Sequence, residues 1–556
     1  MPGPSGPHTT PVPARTAQPW APKGGTDMDI LRTLNLRRTP QSEPADPRQV
    51  VNSAGGYTFQ LDDAARLRRF LTLGVDGGTY YTSDRALAIE NAAVLTRMAA
   101  NDPEGLVATI VDVSLRGAAP KQNPALFALA YAASVPEAAR AALAALPQVA
   151  RTGTHLFLFA GYVEQFRGWG RGLRRAVAGW YTSKDADQLA YQVVKYRQRE
   201  GWSHRDLLRL AHPATSVPAL RDTFEWVVRG TVGAEVPRLV EGFAAAQQAS
   251  DKETWARLVR DYRLSWEMLP DLALTERAVW DALLDVGMPQ TALMRQLPRL
   301  TSLGMLPLLG GRTREVAAQL VDVERLTRSR VHPISVLVAQ RTYASGRSAR
   351  GAGVWKPTRR IVDALDAAFY AAFGAVEPAG KRTLLAVDVS GSMGVPISGM
   401  PITAREASAA LALVQLATEP ESSAVGFSGT PAGWGSTVLK PLAISPRQRL
   451  DDALRVVDAM PFGATDCALP MLYAAEQGLE VDVFVVYTDN ETWAGKVHPH
   501  QALRAYRERT GIPAKLVVVG MTATGFSIAD PDDGGMLDVA GFDAAVPSLI
   551  TEFARG

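Results

Sequence analysis

Five oxygen-bearing side chains in the last third of the chain have the types and the placement to hold a hard cation. Asp388, Ser390 and Ser392 alternate in Asp388-Val389-Ser390-Gly391-Ser392, directly after the apolar run Leu384-Leu385-Ala386-Val387. One carboxylate and two hydroxyls therefore share a tight turn at the end of an expected strand. Thr465, in Gly463-Ala464-Thr465-Asp466, adds a third hydroxyl, and Asp489, two residues after an apolar run ending at Tyr487, adds a second carboxylate. Such a donor set suits octahedral Mg²⁺ first and Mn²⁺ second. With mainly hydroxyls in contact, the ion stays under-neutralised and favours an acidic oxygen from a partner, which is the chemistry of recognition. The competing reading is that Asp388 and the serines only cap a turn, as Asp and Ser commonly do. Thr465 and Asp489 at matching strand ends weigh against it.

Catalytic alternatives find little support. An Asp at a strand end can be a phosphatase nucleophile, but that chemistry wants a second acid two residues on, where Ser390 stands. No G-x-x-x-x-G-K-[ST], H-E-x-x-H or G-x-S-x-G motif occurs. Cys467 has no histidine close in sequence and reads as a small residue packed at a helix start. No catalytic residue is assigned, and the chain is expected not to be an enzyme.

A second constellation is cationic. Between positions 167 and 212 lie Arg167, Arg171, Arg174, Arg175, Lys184, Lys195, Arg197, Arg199, Arg205 and Arg209, against Asp185, Asp187, Glu200 and Asp206. A helix over 187–199 would put Lys195 and Arg199, four apart, on one face able to straddle phosphates. Gly201-Trp202-Ser203-His204-Arg205-Asp206 follows as a helix start, with Ser203 as N-cap and Asp206 three residues on, placing His204, Arg205 and the later His212 at or near helix ends. Trp169, Trp180, Tyr181, Tyr191, Tyr196 and Trp202 interleave, a mix that fills a core or stacks exposed bases. A merely solvated face is the competing reading of the charges. His332-Pro333 and His498-Pro499-His500 lack zinc-ligand spacing and read as helix starts.

The elements that position these residues fall into two parts. From about 61 to 373, Ala-, Leu- and Arg-rich runs at helical period are broken by short Pro or Gly punctuation, as at Asp102-Pro103, Asn123-Pro124, Val135-Pro136 and Leu146-Pro147, each expected to open a helix. Short helices with short turns suggest stacked antiparallel pairs, a helical-repeat solenoid. After Glu377-Pro378-Ala379-Gly380, apolar β-branched runs at 383–389, 423–427, 481–487 and 515–519 alternate with helical stretches at 404–417 and 450–460. That alternation implies a doubly wound parallel sheet with its ligand at the carboxyl ends of the strands. The expected division is a tail over 1–28, a helical domain over 29–376 and an α/β domain over 377–556.

Composition sets outer limits. The 556 residues are 47% hydrophobic and 21% charged, with a formal net charge of +3, so nucleic-acid affinity must come from a local patch. The lone cysteine cannot form an internal disulfide, and no run approaches the roughly 20 apolar residues of a membrane helix, so a reducing cytoplasm is expected.

Assembled, these stretches resemble the Ro autoantigen family, and its bacterial members in particular, from about Asn52 to the end. The resemblance rests on Gly77-Gly78-Thr79-Tyr80-Tyr81, Thr154-His155-Leu156-Phe157, Trp169-Gly170-Arg171, Lys195-Tyr196-Arg197-Gln198-Arg199 and Gly201-Trp202-Ser203-His204. In the second part it rests on 384–390, 463–467, 487–492 and 528–533. It implies a TROVE module of HEAT-like repeats closed into a ring by a von Willebrand A-type domain with a metal-ion-dependent adhesion site at Asp388, Ser390, Ser392, Thr465 and Asp489. It implies Y RNA on an outer basic surface at Lys195, Arg199 and His212, with His204 and Arg205 nearby and Arg171 and Arg175 in the same basic stretch. It further implies single-stranded 3′ ends of misfolded RNA in a central hole, a 3′ exoribonuclease such as polynucleotide phosphorylase as partner, a monomeric state, and a role in RNA quality control.

Overall fold

The computed structural model describes residues 39–52, 55–59, 63–73, 92–116, 122–199, 201–348, 352–397, 401–428, 438–461, 463–489, 492–521, 528–530, 532–540, 542 and 545–555. The expected 1–28 tail and the Gly77–Tyr81 motif lie outside them. Helices run from Asp63–Leu73 to Arg359–Ala371, nearly all between 6 and 14 residues long, packed on helices one to three places away in the chain. Proline opens several, as expected: Pro103–Arg116, Asn123–Ser134 and Pro136–Val149. Pro147 does not. It sits in the last turn of Pro136–Val149, and the next helix is opened by Thr152, whose hydroxyl accepts from the His155 amide. Near a helix end, one missing N–H breaks only a fraying bond, so the helix runs through it.

The C-terminal part is a six-stranded sheet in the order β10-β9-β8-β5-β6-β7, where β5 is Thr383–Asp388, β6 Ser422–Ser428, β7 Val438–Pro441, β8 Val483–Thr488, β9 Lys515–Gly520 and β10 Met536–Ala540. All neighbours are parallel except β6 with β7. Four strands match the expected apolar runs, and the edge strands β7 and β10 add to them. Both faces are buried, and alternate residues divide them. Leu385, Val387, Val485, Tyr487, Val517 and Val519 join the helix Ala404–Thr418 in one core that continues into the helical array, whereas Leu384, Ala386, Phe484, Val486, Leu516 and Val518 pack under Leu469–Gln477 and Pro499–Thr510. The strand period of two thus builds two cores from one sheet.

The helical array begins and ends on this α/β domain. At its end, Arg341 pairs with Glu406 at 2.7 Å and with Asp451 at 3.3 Å, and Leu450 N donates to Tyr370 Oη at 2.9 Å. At its start, residues 39–52 and 55–59 form a strap with a short antiparallel hairpin, β1 (Gln49–Val51) and β2 (Tyr57–Phe59), that lies against the α/β domain. Among the described residues, no helix is long and apolar enough to cross a membrane.

Candidate metal centre and nucleic-acid interface

Parallel pairing brings the carboxyl ends of β5 and β8 side by side, and with them the candidate ligands. Asp388, the last residue of β5, is fully buried. Its Oδ1 accepts from Ser390 N at 2.8 Å, and its Oδ2 accepts from Thr488 Oγ1 at 2.8 Å and Thr465 Oγ1 at 3.4 Å. The Ser390 and Ser392 hydroxyls stand 3.1 Å apart. All five expected residues therefore belong to one cluster, with Asp489 directly after β8. Burial, and then the charge of Asp489, pushes the Asp388 carboxyl up to about 7, against the lowering effect of the Ser390 and Thr488 hydrogen bonds. A buried Asp388 carboxyl with the Asp489 carboxylate beside it, ringed by hydroxyls, is what a hard cation would relieve, so the donor set would suit Mg²⁺ or Mn²⁺. Among the described residues, no three His, Cys, Asp or Glu side chains come together as a metal-holding group, so the donors at this site would be two carboxylates and hydroxyls. Sequence reasoning passed over Thr488, the last residue of β8, and Arg405, whose Nη2 donates to Ser390 O at 3.2 Å. Asp466, next to Thr465, points away and accepts instead from Gln41 Nε2 of the strap at 2.8 Å. Cys467 is buried, with its amide held by Thr492 Oγ1.

The basic constellation divides. Lys195 ends the helix Ala186–Lys195, and Arg199 lies beyond it in β3 (Gln198–Arg199), which pairs with β4 (Trp202–Ser203) through Gly201 at φ +79°. The expected helix over 187–199 is thus corrected: it stops at Tyr196, and the chain reverses where Gly201 supplies the left-handed turn. Lys195 and Arg199 nevertheless share one site. A cleft of about 830 Å³ is lined by Lys195, Arg197, Arg199, Arg205 and Arg229, with Phe243 and Trp226 in its walls. Among the described residues lining it, Glu267 is the one acid, 3.7 Å from Lys195 Nζ. Lys195 also donates to Tyr191 Oη at 2.7 Å, and Arg197 lies 4.8 Å over the Phe243 ring.

The remaining candidates sit differently. Ser203 and Asp206 form a reciprocal capping box, as expected, and Arg205 is exposed at the first turn of His204–Ala211. His204 is not a surface cation. It borders the cleft from within the core, buried against Phe157 with its Nδ1 2.7 Å from Tyr181 Oη, and burial lowers its pKa to about 3, so it stands there as a neutral ring. It faces inward because the first turn of an amphipathic helix must put some residue into the core. His212 is exposed at the other end of that helix in a left-handed conformation, φ 46° and ψ 58°. Arg171 and Arg175 are exposed on Arg171–Thr182, which packs against His204–Ala211, and they do not line the cleft. Trp180 and Tyr181 are core; Tyr191 is 40% exposed. Arg229 and Phe243, 34 and 48 positions beyond Lys195, escaped sequence reading because nothing local announces that their helices return to Lys195. His332 and His498 both start helices.

A helical-repeat array that leaves from and returns to a von Willebrand A-type domain, with an oxygen-lined site on the one and a cationic cleft on the other, defines the class of protein. A TROVE domain pattern matches residues 50–259 and 256–381, and a Ro60 vWA domain pattern matches 382–554. The RNA-binding protein RO60 of Deinococcus radiodurans is 43% identical over 537 residues, covering 95% of this chain and 99% of that protein. The RNA-binding protein RO60 of Caenorhabditis elegans is 36% identical over 604 residues, covering 94% and 92%. The crystal structure of the Deinococcus radiodurans RO (RSR) protein aligns with a TM-score of 0.75, covering 89% of this chain and 100% of that one. The chain belongs to the Ro60 family of RNA-binding proteins.

Proposed function

We propose that this RNA-binding protein takes structured small noncoding RNA of the Y class at the cleft between Lys195 and Arg229, acting as a scaffold without cutting the RNA. The observation that carries the reading is the charge of that cleft: five cations against the single Glu267 among the described lining residues. Arg and Lys neutralising phosphates supply most nucleic-acid affinity, and Arg197 on Phe243 offers a flat platform for an unstacked base. His212, Arg171 and Arg175 extend the positive surface along neighbouring helices. RNAs with single-stranded 3′ ends are further ligands, presented to a 3′ exoribonuclease such as polynucleotide phosphorylase in RNA quality control and stress response. That the array starts and finishes on one domain supports a closed frame through which such an end is held. On this reading the protein is a cytoplasmic monomer. Asp388, Ser390, Ser392, Thr465 and Asp489 would hold Mg²⁺, with Mn²⁺ as substitute, and the ion would supply an open position for a carboxylate oxygen of a protein partner.

Photocrosslinking of a thiouridine-substituted structured RNA tests the reading. Crosslinked peptides are expected from 191–205 and 226–248, with the RNA recovered at full length; crosslinks confined to other surfaces, or RNA cleaved by the pure protein, would overturn it.

A further inference from the structure

The strap at the start of the helical array is fastened to the two loops that carry Thr465 and Asp489, and a single fully buried side chain does most of the fastening. Gln41 Nε2 donates to Asp466 Oδ1 and to Val497 O, both at 2.8 Å, while its Oε1 accepts from Thr492 Oγ1 at 2.5 Å. Its backbone donates to Gly495 O at 2.9 Å. One glutamine therefore ties the residue after Thr465 to a residue three positions after Asp489. The loops are also sewn to each other: Thr465 O accepts from the Trp493 and Ala494 amides at 3.1 and 3.2 Å, and the Cys467 amide donates to Thr492 Oγ1 at 3.2 Å.

The rest of the strap reinforces this seat. Asn52 Nδ2 donates to Thr492 O at 3.0 Å, His498 Nε2 lies 2.8 Å from Glu43 O, and Arg48 bridges Asp46 and Asp530. The approach is so close that a Cβ at Gly56 would stand 2.1 Å from Thr492 O, and one at Gly495 would stand 2.2 Å from Gln41 Nε2 and 2.4 Å from Asp466 Oδ1. Only glycine fits at either place.

We infer that strap docking and cation binding at Asp388, Ser390, Ser392, Thr465 and Asp489 stabilise one another, so that the metal-site loops govern how firmly the first end of the helical array is held. The inference rests on the cation reading of that site. Fixing Thr465 and Asp489 around an ion fixes Asp466 and Thr492, the two side chains that grip Gln41. Linkage makes the effect reciprocal: a docked strap preorganises the loops and raises cation affinity by the same factor. The physical source is the buried Asp466 carboxylate. Without Gln41 its hydrogen-bond partner within the described residues reduces to the Ala468 amide, and a buried carboxylate short of partners rearranges its loop.

Hydrogen exchange of residues 39–59 in the full chain, with Mn²⁺ or Mg²⁺ alone as the probe and with chelator as the reference, tests this without any substitution. Protection of the strap is expected to rise about tenfold with the cation in the wild type and to be unmoved by it in Asp388→Ala. In parallel, Mn²⁺ affinity measured by electron paramagnetic resonance is expected to fall about tenfold in Gln41→Ala and in Gly495→Ala. Mn²⁺ that binds the wild type while strap exchange stays constant overturns the coupling alone. A wild type that binds no Mn²⁺ at millimolar concentration overturns the metal reading, and the coupling with it.

Discussion

At the scale of single residues, the chemistry of both sites is set by how few opposing charges they contain. Lys195 is held by Tyr191 and Glu267, so a phosphate reaching it must compete with a carboxylate 3.7 Å away. Burial acts to lower the Lys195 pKa, but the Tyr191 hydrogen bond and the Glu267 charge outweigh it and the value is raised, which keeps the ammonium charged. Removing the competitor frees the cation. Glu267→Gln is therefore expected to tighten RNA binding about fivefold, from roughly 1 kcal/mol of partly exposed ion pairing, with no change in the circular dichroism spectrum. Equal or weaker affinity in a titration would show that Lys195 does not meet phosphate.

At the scale of elements, legibility in the sequence followed locality. The turn Asp388-Val389-Ser390-Gly391-Ser392 and the capping box of Ser203 with Asp206 are short-range patterns, and both were readable. Lys195 and Arg199 were paired by helical spacing, and they do line one cleft, but through the β3–β4 hairpin instead of a helix face. His204 shows the limit most sharply: its neighbours in sequence are polar and charged, and only the packing of Phe157 and Tyr181 from earlier helices makes it core. Gln41 carried no signal at all, since its partners lie more than 400 positions away. His212 belongs at this scale too, because it closes its helix in a left-handed conformation that glycine adopts more readily. His212→Gly is expected to raise stability by about 0.5–1 kcal/mol while weakening RNA binding severalfold. Thermal unfolding beside an RNA titration checks both, and a variant that gains stability at full affinity would remove His212 from the interface.

At the scale of the whole molecule, the folded state carries an acid sensitivity that follows from its buried histidines. Desolvation lowers His155, His332 and His500 to about 4 and His204 to about 3, whereas in the unfolded chain each titrates near 6.5. The unfolded state therefore binds protons first, and stability is lost as pH falls from 6.5 toward 4. Asp388, raised to about 7, and Asp466, raised to about 6, work the other way, since acidification relieves the cost of keeping them ionised. Four histidines against two carboxylates leave a net loss on the order of 3 kcal/mol between pH 7 and pH 5. The thermal midpoint is expected to fall over that interval; a midpoint that holds or rises would mean the histidines open to solvent or the carboxylates dominate.

The most direct test of the central claim is the affinity of the full chain for a structured small RNA across a salt series, beside the Lys195→Ala, Arg199→Ala double variant. The account predicts tight binding by the wild type that weakens linearly in log[salt], by about 0.7 to 0.9 per phosphate neutralised. In the double variant it predicts affinity reduced by about tenfold or more and a slope shallower by about 2. Equal affinity and equal slope in the two proteins would contradict the assignment of RNA to this cleft.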